Sequence, residues 1–452
     1  MTTKQKNSLI DFLASVQLAL FLLFLLSTTA IIGTLIPQHA QPVLYSQQYG
    51  PAAARFIQLL DIDDMYNSWW FLSLLTLFAI NLIVCSADRL PRVIRLLKRD
   101  NLATTREQLE RFSLQRAIDS PLPCDEQLGQ LRSIFKEHGW KAQERHTESG
   151  AVLLFAQKTP WSRFGVYLVH ASILIILVGA VVGSPAFARK VLKNSDFAYK
   201  GFVMLPERAF TDHVIAIRQN QPINLGFMLR CDQFHIEFYD NGMPKTYRSQ
   251  VTVLEQGQEV LRTEIEVNKP LRYKGVTFYQ SSYQPYQNYE IQLKKQPDGV
   301  TSTQIIPPAQ ETLWEAGGIS YGIINRERQG EITRRVKLWL HDGEGEASQL
   351  WVEMGKEVVI ERPSGQYLLN IKQMYATGLQ AAKDPGVWLV YLGCLLMLVG
   401  LFAAFFLSHR KLFAHVQEKG PGCRLLFAGT ANKNKVQFGH VFTRMADKLE
   451  QR

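Results

Sequence analysis

The sequence predicts an integral membrane protein with four transmembrane helices, a large extracytoplasmic antiparallel β-rich domain and a small cytoplasmic α+β loop domain. Three observations carry that expectation. Residues 12–36, 68–87, 164–182 and 387–407 are almost free of charge, and each is near the roughly 20 apolar residues that cross a bilayer. Basic residues crowd against two of these stretches. Residues 184–385 alternate apolar and polar side chains between clusters of turn residues, the pattern of short half-buried strands. A mean hydropathy near zero averages over these very uneven segments. At 452 residues the chain has room for two or three folded units.

Taken in order, residues 1–36 form the N-terminus and the first transmembrane helix. Its apolar run is too long for the core of a secretory signal, and no small-x-small cleavage site precedes Pro37, so it reads as a retained anchor. The loop 37–67 carries Arg55 against Asp61, Asp63 and Asp64. The second helix, 68–87, opens on Trp69 and Trp70, an interfacial aromatic anchor. Arg89, Arg92, Arg95, Lys98 and Arg99 follow it, and Arg410 and Lys411 follow the fourth helix. Because positive residues stay in the cytoplasm, both termini and the loop 88–160 are expected there, with 37–67 and 184–385 outside.

Within 88–160 a basic helix leaves the membrane, 112–118 alternates like a strand, and 126–138 has helical apolar spacing. Residues 140–145 and 151–158 look like a hairpin around a turn at 148–150. The third transmembrane helix is 161–183. In the β-rich domain, 184–385, turn clusters at Asp240-Asn241-Gly242, Glu255-Gln256-Gly257, Pro297-Asp298-Gly299 and Asp342-Gly343 separate the strands. Strand–turn–strand without intervening helices points to antiparallel sheets, as a sandwich or an open barrel. The fourth transmembrane helix is 386–408. The basic tail, 409–452, reads as a loop at 432–435 and a short helix at 441–449.

The net charge of +10 does not mark a nucleic-acid binder: residues 184–385 hold 24 Lys and Arg against 23 Asp and Glu. The excess lies beside the membrane helices, where it acts as a topology signal with some affinity for anionic lipid. The cysteines are Cys85, Cys124, Cys231, Cys394 and Cys423, with no CxxC and no CxxCH. The chain is therefore neither a c-type cytochrome nor a CxxC oxidoreductase. Cys231 is alone in the outer segment, so that domain must fold without an internal disulfide.

His170, within FGVYLVHASILIILVGAVVG, is the residue most telling of function. An ionisable side chain inside a membrane span is costly and is by default a functional candidate. At about 100° per residue, Gly165, Ser172, Gly179 and Gly183 form one stripe and His170 projects from the opposite side. Small residues let helices approach closely, so the stripe packs on the chain's own bundle. His170 then faces lipid unless a partner or cofactor covers it. The alternative is a neutral histidine bonded to a nearby Ser, Thr or carbonyl. His39 and His409 read as interfacial residues. No HExxH, GxSxG, P-loop or GxGxxG stands where its chemistry needs it.

Five stretches together resemble the ResB (CcsB) family of cytochrome c biogenesis proteins, System II. They are SVQLALFLLFLLSTTAIIGTLIPQ, WSRFGVYLVHASILIILVGAVVG, the outer blocks DQFHIEFYDNGMPKTYRSQVTVLEQGQEV and IEVNKPLRYKGVTFYQSSY, TGLQAAKDPGVWLVYLGCLLMLVG with SHRKLF, and GTANKNKVQFGHVF. The resemblance runs in order along nearly the whole chain. It implies a multi-pass protein of the bacterial inner membrane that works with a polytopic ResC (CcsA)-type partner. Together such proteins carry haem b outward for thioether attachment to the CxxCH of apocytochrome c. In the family a histidine of the third span is implicated as an axial ligand to haem iron, and His170 matches that position. The tryptophan-rich motif belongs to the partner, and Trp69-Trp70 is too small to be one. This chain is thus expected to be a non-catalytic or co-catalytic subunit of the synthase, with no nucleic acid among its partners. A competing expectation is a scaffold or apocytochrome chaperone that binds no haem and only anchors the synthase partner. A b-type cytochrome ranks last, because one deep histidine cannot supply both axial ligands.

Overall fold

In hydrocarbon every backbone N–H and C=O must be satisfied within its own segment, so a long uncharged run becomes a helix. The computed structural model describes residues 8–38, 40–147, 150–217, 220–239, 244–329 and 332–450. Among these, four helices are long and apolar enough to cross a membrane: Val16–Leu35, Trp69–Lys98, Pro160–Val182 and Val387–Phe406. The first starts where Ser15 accepts from the Gln17 N–H, and it ends two residues before Pro37. Its Thr28, Thr29 and Thr34 hydroxyls donate to carbonyls three or four residues back, which hides their polarity. The second is capped by Ser68, which accepts from the Phe71 N–H, and runs through Pro91 into the basic segment. The chain folds as two compact units, one of Met1–Val178 with Leu389–Arg452 and one of Gly179–Trp388.

In the first unit Leu22, Phe78 and Leu82 form a buried cluster against which Ile173 and Leu174 of the third helix pack. Asn81 donates to the carbonyls of Leu13 and Ser15, tying the second helix to the turn that starts the first. The third and fourth helices meet through small residues. A Cβ on Gly165 would lie 2.6 Å from the Ala404 nitrogen, and one on Gly393 would lie 2.9 Å from the Ser172 carbonyl oxygen. Such close backbone approach is what the stripe of small residues predicts.

The loop after the second helix carries strands β1 (Leu114–Ser120), β2 (Ala142–His146) and β3 (Val152–Lys158), with a helix at Cys124–Glu137. The residues expected to turn the β2–β3 hairpin, Glu148 and Ser149, lie outside the described residues, as does the Asp240-Asn241-Gly242 cluster.

The second unit is built from strands alone apart from short helical turns. Its strands are β4 (Tyr199–Pro206), β5 (Phe210–Ala216), β6 (Pro222–Phe238), β7 (Pro244–Glu255), β8 (Gln258–Glu266), β9 (Leu271–Tyr273) and β10 (Val276–Gln296). They continue as β11 (Thr301–Ile306), β12 (Glu311–Trp314), β13 (Ile319–Gln329), β14 (Ile332–His341), β15 (Ser348–Glu353), β16 (Glu357–Arg362) and β17 (Gly365–Lys383). All pair antiparallel. One sheet runs β11-β10-β17-β4-β5-β6-β7-β8, with β9 on β10 and β16 on β17, and a second runs β12-β13-β14-β15. The β7–β8 turn uses Gln256 and Gly257, both at positive φ, as a two-residue hairpin of matching twist requires.

The paired long strands β10 and β17 pass through two separate cores. Ile291, Leu293, Leu369 and Ile371 pack under the four-stranded sheet as a sandwich. Phe278, Val276, Leu379 and Ala381 pack with β4–β8, where the sheet curls towards closure. Register shifts at Gln280/Ser282 and Pro285/Tyr289 mark the change between the two, since bulges bend a strand and re-aim its faces. The antiparallel sheets that the sequence predicts are therefore present, as two sheets with separate cores.

The tail differs from the sequence expectation. Residues to which the sequence assigned no element form β18 (Arg410–Lys419) and β19 (Gly422–Ala431), and the last helix is longer, Lys435–Glu450. The tail strands occupy the middle of a five-stranded sheet, β1-β19-β18-β3-β2. Loop and tail are thus one folding unit. Its core joins Leu131 and Phe135 of the loop helix to Phe427, Phe438 and Phe442 of the tail, with the Phe427 and Phe442 rings stacked at 4.7 Å.

Candidate functional site

His170 projects from the side of the third helix away from its contact with the fourth. The sequence left it facing lipid unless covered, or else bonded to a neighbouring Ser, Thr or carbonyl; it faces the second helix, where its Nδ1 lies 2.9 Å from the Ser86 hydroxyl. Ile173 and Leu174, on the same side, pack into the cluster of the first two helices. The imidazole is half-buried, and the Tyr167 ring approaches it edge-on at 6.4 Å. Ser86 stands where the second helix changes character: Asp88, Arg89 and Arg92 follow within two turns. Arg89, one turn beyond Ser86, is close enough to act electrostatically on His170.

This arrangement can do one thing well. A hydrogen bond to one ring nitrogen fixes the orientation and tautomer of a histidine and strengthens the other nitrogen as a ligand. With Nδ1–H donating to Ser86, Nε2 keeps its lone pair. The residues could hold a metal such as haem iron through that nitrogen, with Arg89 as a cation in its neighbourhood. They also fit a satisfied helix–helix contact, since the Ser86 bond is the neutral pairing that sequence reasoning held open. No group of three or more His, Cys, Asp or Glu that could hold a metal occurs among the described residues.

The other histidines fall elsewhere. His39 lies outside the described residues. His409, three residues past the fourth helix, is buried in the protein: it is 2 % exposed, accepts at Nδ1 from Arg163 Nε at 2.8 Å, and its Nε2 meets Gln157 Oε1 at 3.0 Å. Burial, then the charges of Lys411 and Arg163, pull its pKa down to about 4. The cysteines are free. Burial pushes the Cys231 thiol up to about 12. It does the same to Cys423, with a further contribution from the Cys124 thiol hydrogen-bonded to it. That contact joins residues about 300 positions apart in the chain, and no spacing rule would find it.

The model of the ResB-like family matches residues 16–359 and 340–443. The chain belongs to the ResB-like family. The two matched segments take in all four apolar helices, the β-rich unit and most of the tail. A ResB-like protein of Synechococcus sp. strain JA-2-3B'a(2-13), named cytochrome c biogenesis protein CcsB, is 28% identical over 98% of this chain and 92% of its own length. A protein of the same name from Gloeobacter violaceus is 28% identical over 97% of this chain and 90% of its own. Cytochrome c biogenesis protein Ccs1 of Pyropia yezoensis is 24% identical over 95% and 93%.

Proposed function

We propose that this ResB-like chain acts in cytochrome c biogenesis, as a subunit of the complex that exports haem and attaches it to apocytochrome c. It would work with a polytopic ResC (CcsA)-type partner. Relatives named for cytochrome c biogenesis over nearly the full length support the role. The shared sheet supports the topology. Loop and tail strands pair with each other, so they lie on one side of any membrane the helices cross. The basic residues flank that sheet and make it cytoplasmic, which sends 184–385 outward, to the periplasmic face of a bacterial inner membrane.

The observation that carries the haem reading is the Ser86–His170 bond. His170 is the sixth residue of the helix that starts at Gly165, five steps or about 7.5 Å along it at about 1.5 Å per residue. That is the half of the bilayer where haem made inside the cell arrives. There Nε2 would offer a neutral ligand to the iron of the transported haem b, with Ser86 holding the ring and Arg89 as the neighbouring cation for the anionic haem edge. Because the chain brings one such histidine, stable binding needs the partner's ligand as well.

In the experiment His170→Ala and His170→Gly chains are co-purified with the partner and their visible spectra recorded. Both variants should insert and hold the partner but lose most co-purifying haem, and imidazole should restore part of it to His170→Gly. Normal haem content and normal cytochrome c yield in His170→Ala would overturn the ligand. In that case the Ser86 bond is only a helix contact and the chain is a scaffold for the synthase.

A further inference from the structure

Two spans end, and one begins, around a cavity of about 420 Å³ in the unit formed by Met1–Val178 and Leu389–Arg452. Arg99, Arg163 and Lys411 line it, and Asp and Glu do not. These are the residue just past the second helix, one in the turn that opens the third, and one five positions after the fourth. Leu96 and Phe413 make its apolar wall.

The positive groups are held in place. His409, 2 % exposed and fixed by Gln157, binds Arg163 through Nε. A guanidinium gripped at Nε turns its two terminal nitrogens outward as a fork, the shape that meets oxyanions bidentately. Lys411 Nζ donates to Asn101 Oδ1 at 2.6 Å, which holds the ammonium at the cavity wall. Three cations gathered without a carboxylate repel one another unless an anion sits among them. We propose that this cavity binds the phosphate of an anionic phospholipid, and so locks the sheet formed by loop and tail to the membrane surface.

The depth decides the source of the anion. The cavity lies beside the turn that opens the third helix and the residues that follow the fourth, which is the level of lipid phosphates, and Arg99 reaches it from the end of the basic extension of the second helix; basic pockets between spans recognise anionic headgroups at that level. The apolar wall beside the cations suits a headgroup that brings acyl chains with it better than it suits free phosphate. This reading goes beyond the haem proposal and is independent of His170.

The test uses the full chain, purified in detergent, stripped of lipid and reloaded. Native mass spectrometry should find one phosphatidylglycerol held per chain in preference to phosphatidylcholine. Arg99→Gln and Lys411→Gln should each weaken retention about fivefold, since a basic residue at the surface contributes about one such factor. Arg163→Lys should weaken it as well, because it keeps the charge but loses the fork. Unfolding midpoints show which variants fold, and exposed Arg99 keeps the test decisive if Arg163→Lys does not. His170→Ala should hold phosphatidylglycerol normally. Equal retention of both lipids, or wild-type retention by a folded Arg99→Gln/Lys411→Gln double variant, would overturn the proposal. So would displacement of phosphatidylglycerol by equimolar inorganic phosphate or by iron protoporphyrin.

Discussion

Replacing Gly165 by alanine adds one methyl group at a close backbone contact between the third and fourth helices. That methyl would stand 2.6 Å from the Ala404 nitrogen and 3.0 Å from the Ala403 carbonyl carbon and the Ala404 Cα. Ordinary contact begins near 3.4 Å, so the helices must part by about 0.8 Å. No side-chain rotation can relieve the clash, because all three neighbours are backbone. Overpacking of this kind costs about 1–3 kcal/mol, or roughly 5- to 150-fold in the folded-to-unfolded ratio. Gly400→Ala should cost less, since the Val169 Cγ2 at 2.9 Å can yield and its nearest backbone atoms, the Val169 nitrogen at 3.0 Å and the Gly165 carbonyl oxygen at 3.2 Å, stand farther off. Gly129 is the control: it sits exposed in the helix Cys124–Glu137 with nothing within 4 Å of an added Cβ. Alanine there should stabilise by about 0.5–1 kcal/mol through backbone entropy. Unfolding in increasing SDS, followed by circular dichroism, gives all three midpoints. If Gly165→Ala unfolds at the wild-type midpoint, backbone contact does not limit the packing of these two helices.

Acid should weaken the loop–tail unit through its buried histidines. His409 is neutral in the fold with a pKa of about 4, while an unfolded histidine titrates near 6.5. The unfolded state therefore binds the proton first, and stability falls as pH drops from about 6.5 towards 4, by up to about 3 kcal/mol for this group. Buried His415 is shifted the same way, mainly by burial. A His409→Gln chain should lose part of the acid sensitivity and keep the His415 part; an unchanged pH profile of the unfolding midpoint would contradict the neutral assignment. For topology, Cys231 is an unsuitable probe, being buried with its thiol pushed up to about 12. Exposed Val260→Cys and Lys141→Cys chains should label with impermeant maleimide in intact cells and only after permeabilisation, respectively. The opposite pattern would reverse the orientation.

Much of the β-rich segment was legible because its turns announce themselves. The strands flanking Glu255-Gln256-Gly257, Pro297-Asp298-Gly299 and Asp342-Gly343 pair with each other as antiparallel neighbours. The tail was not legible. Strands β18 and β19 contain runs of five consecutive buried residues, Leu412–Val416 and Leu425–Gly429, because both faces of the sheet are covered. Central strands of that kind lose the alternation that marks half-buried ones. The partners of His409 were hidden for a related reason: its distance to the fourth helix marks a boundary residue, but Arg163 and Gln157 reach it only through the sheet that the tail completes. His170 was found at once, as a lone ionisable residue in an apolar run, but Ser86 could not be assigned to it across 84 positions.

The sequence by itself determined four apolar helices, the positive charge that accompanies them and the strand–turn–strand grammar of residues 184–385. Each is written within about 20 consecutive residues, since a bilayer crossing or a hairpin is satisfied by its own local hydrogen bonds. Tertiary structure decided which segments far apart in the chain became neighbours: β19 between β1 and β18, Arg163 on His409, Ser86 on His170. Those pairings depend on side-chain shape and unsatisfied polar atoms meeting across a buried interface, and neither is encoded in the spacing of residues along the chain.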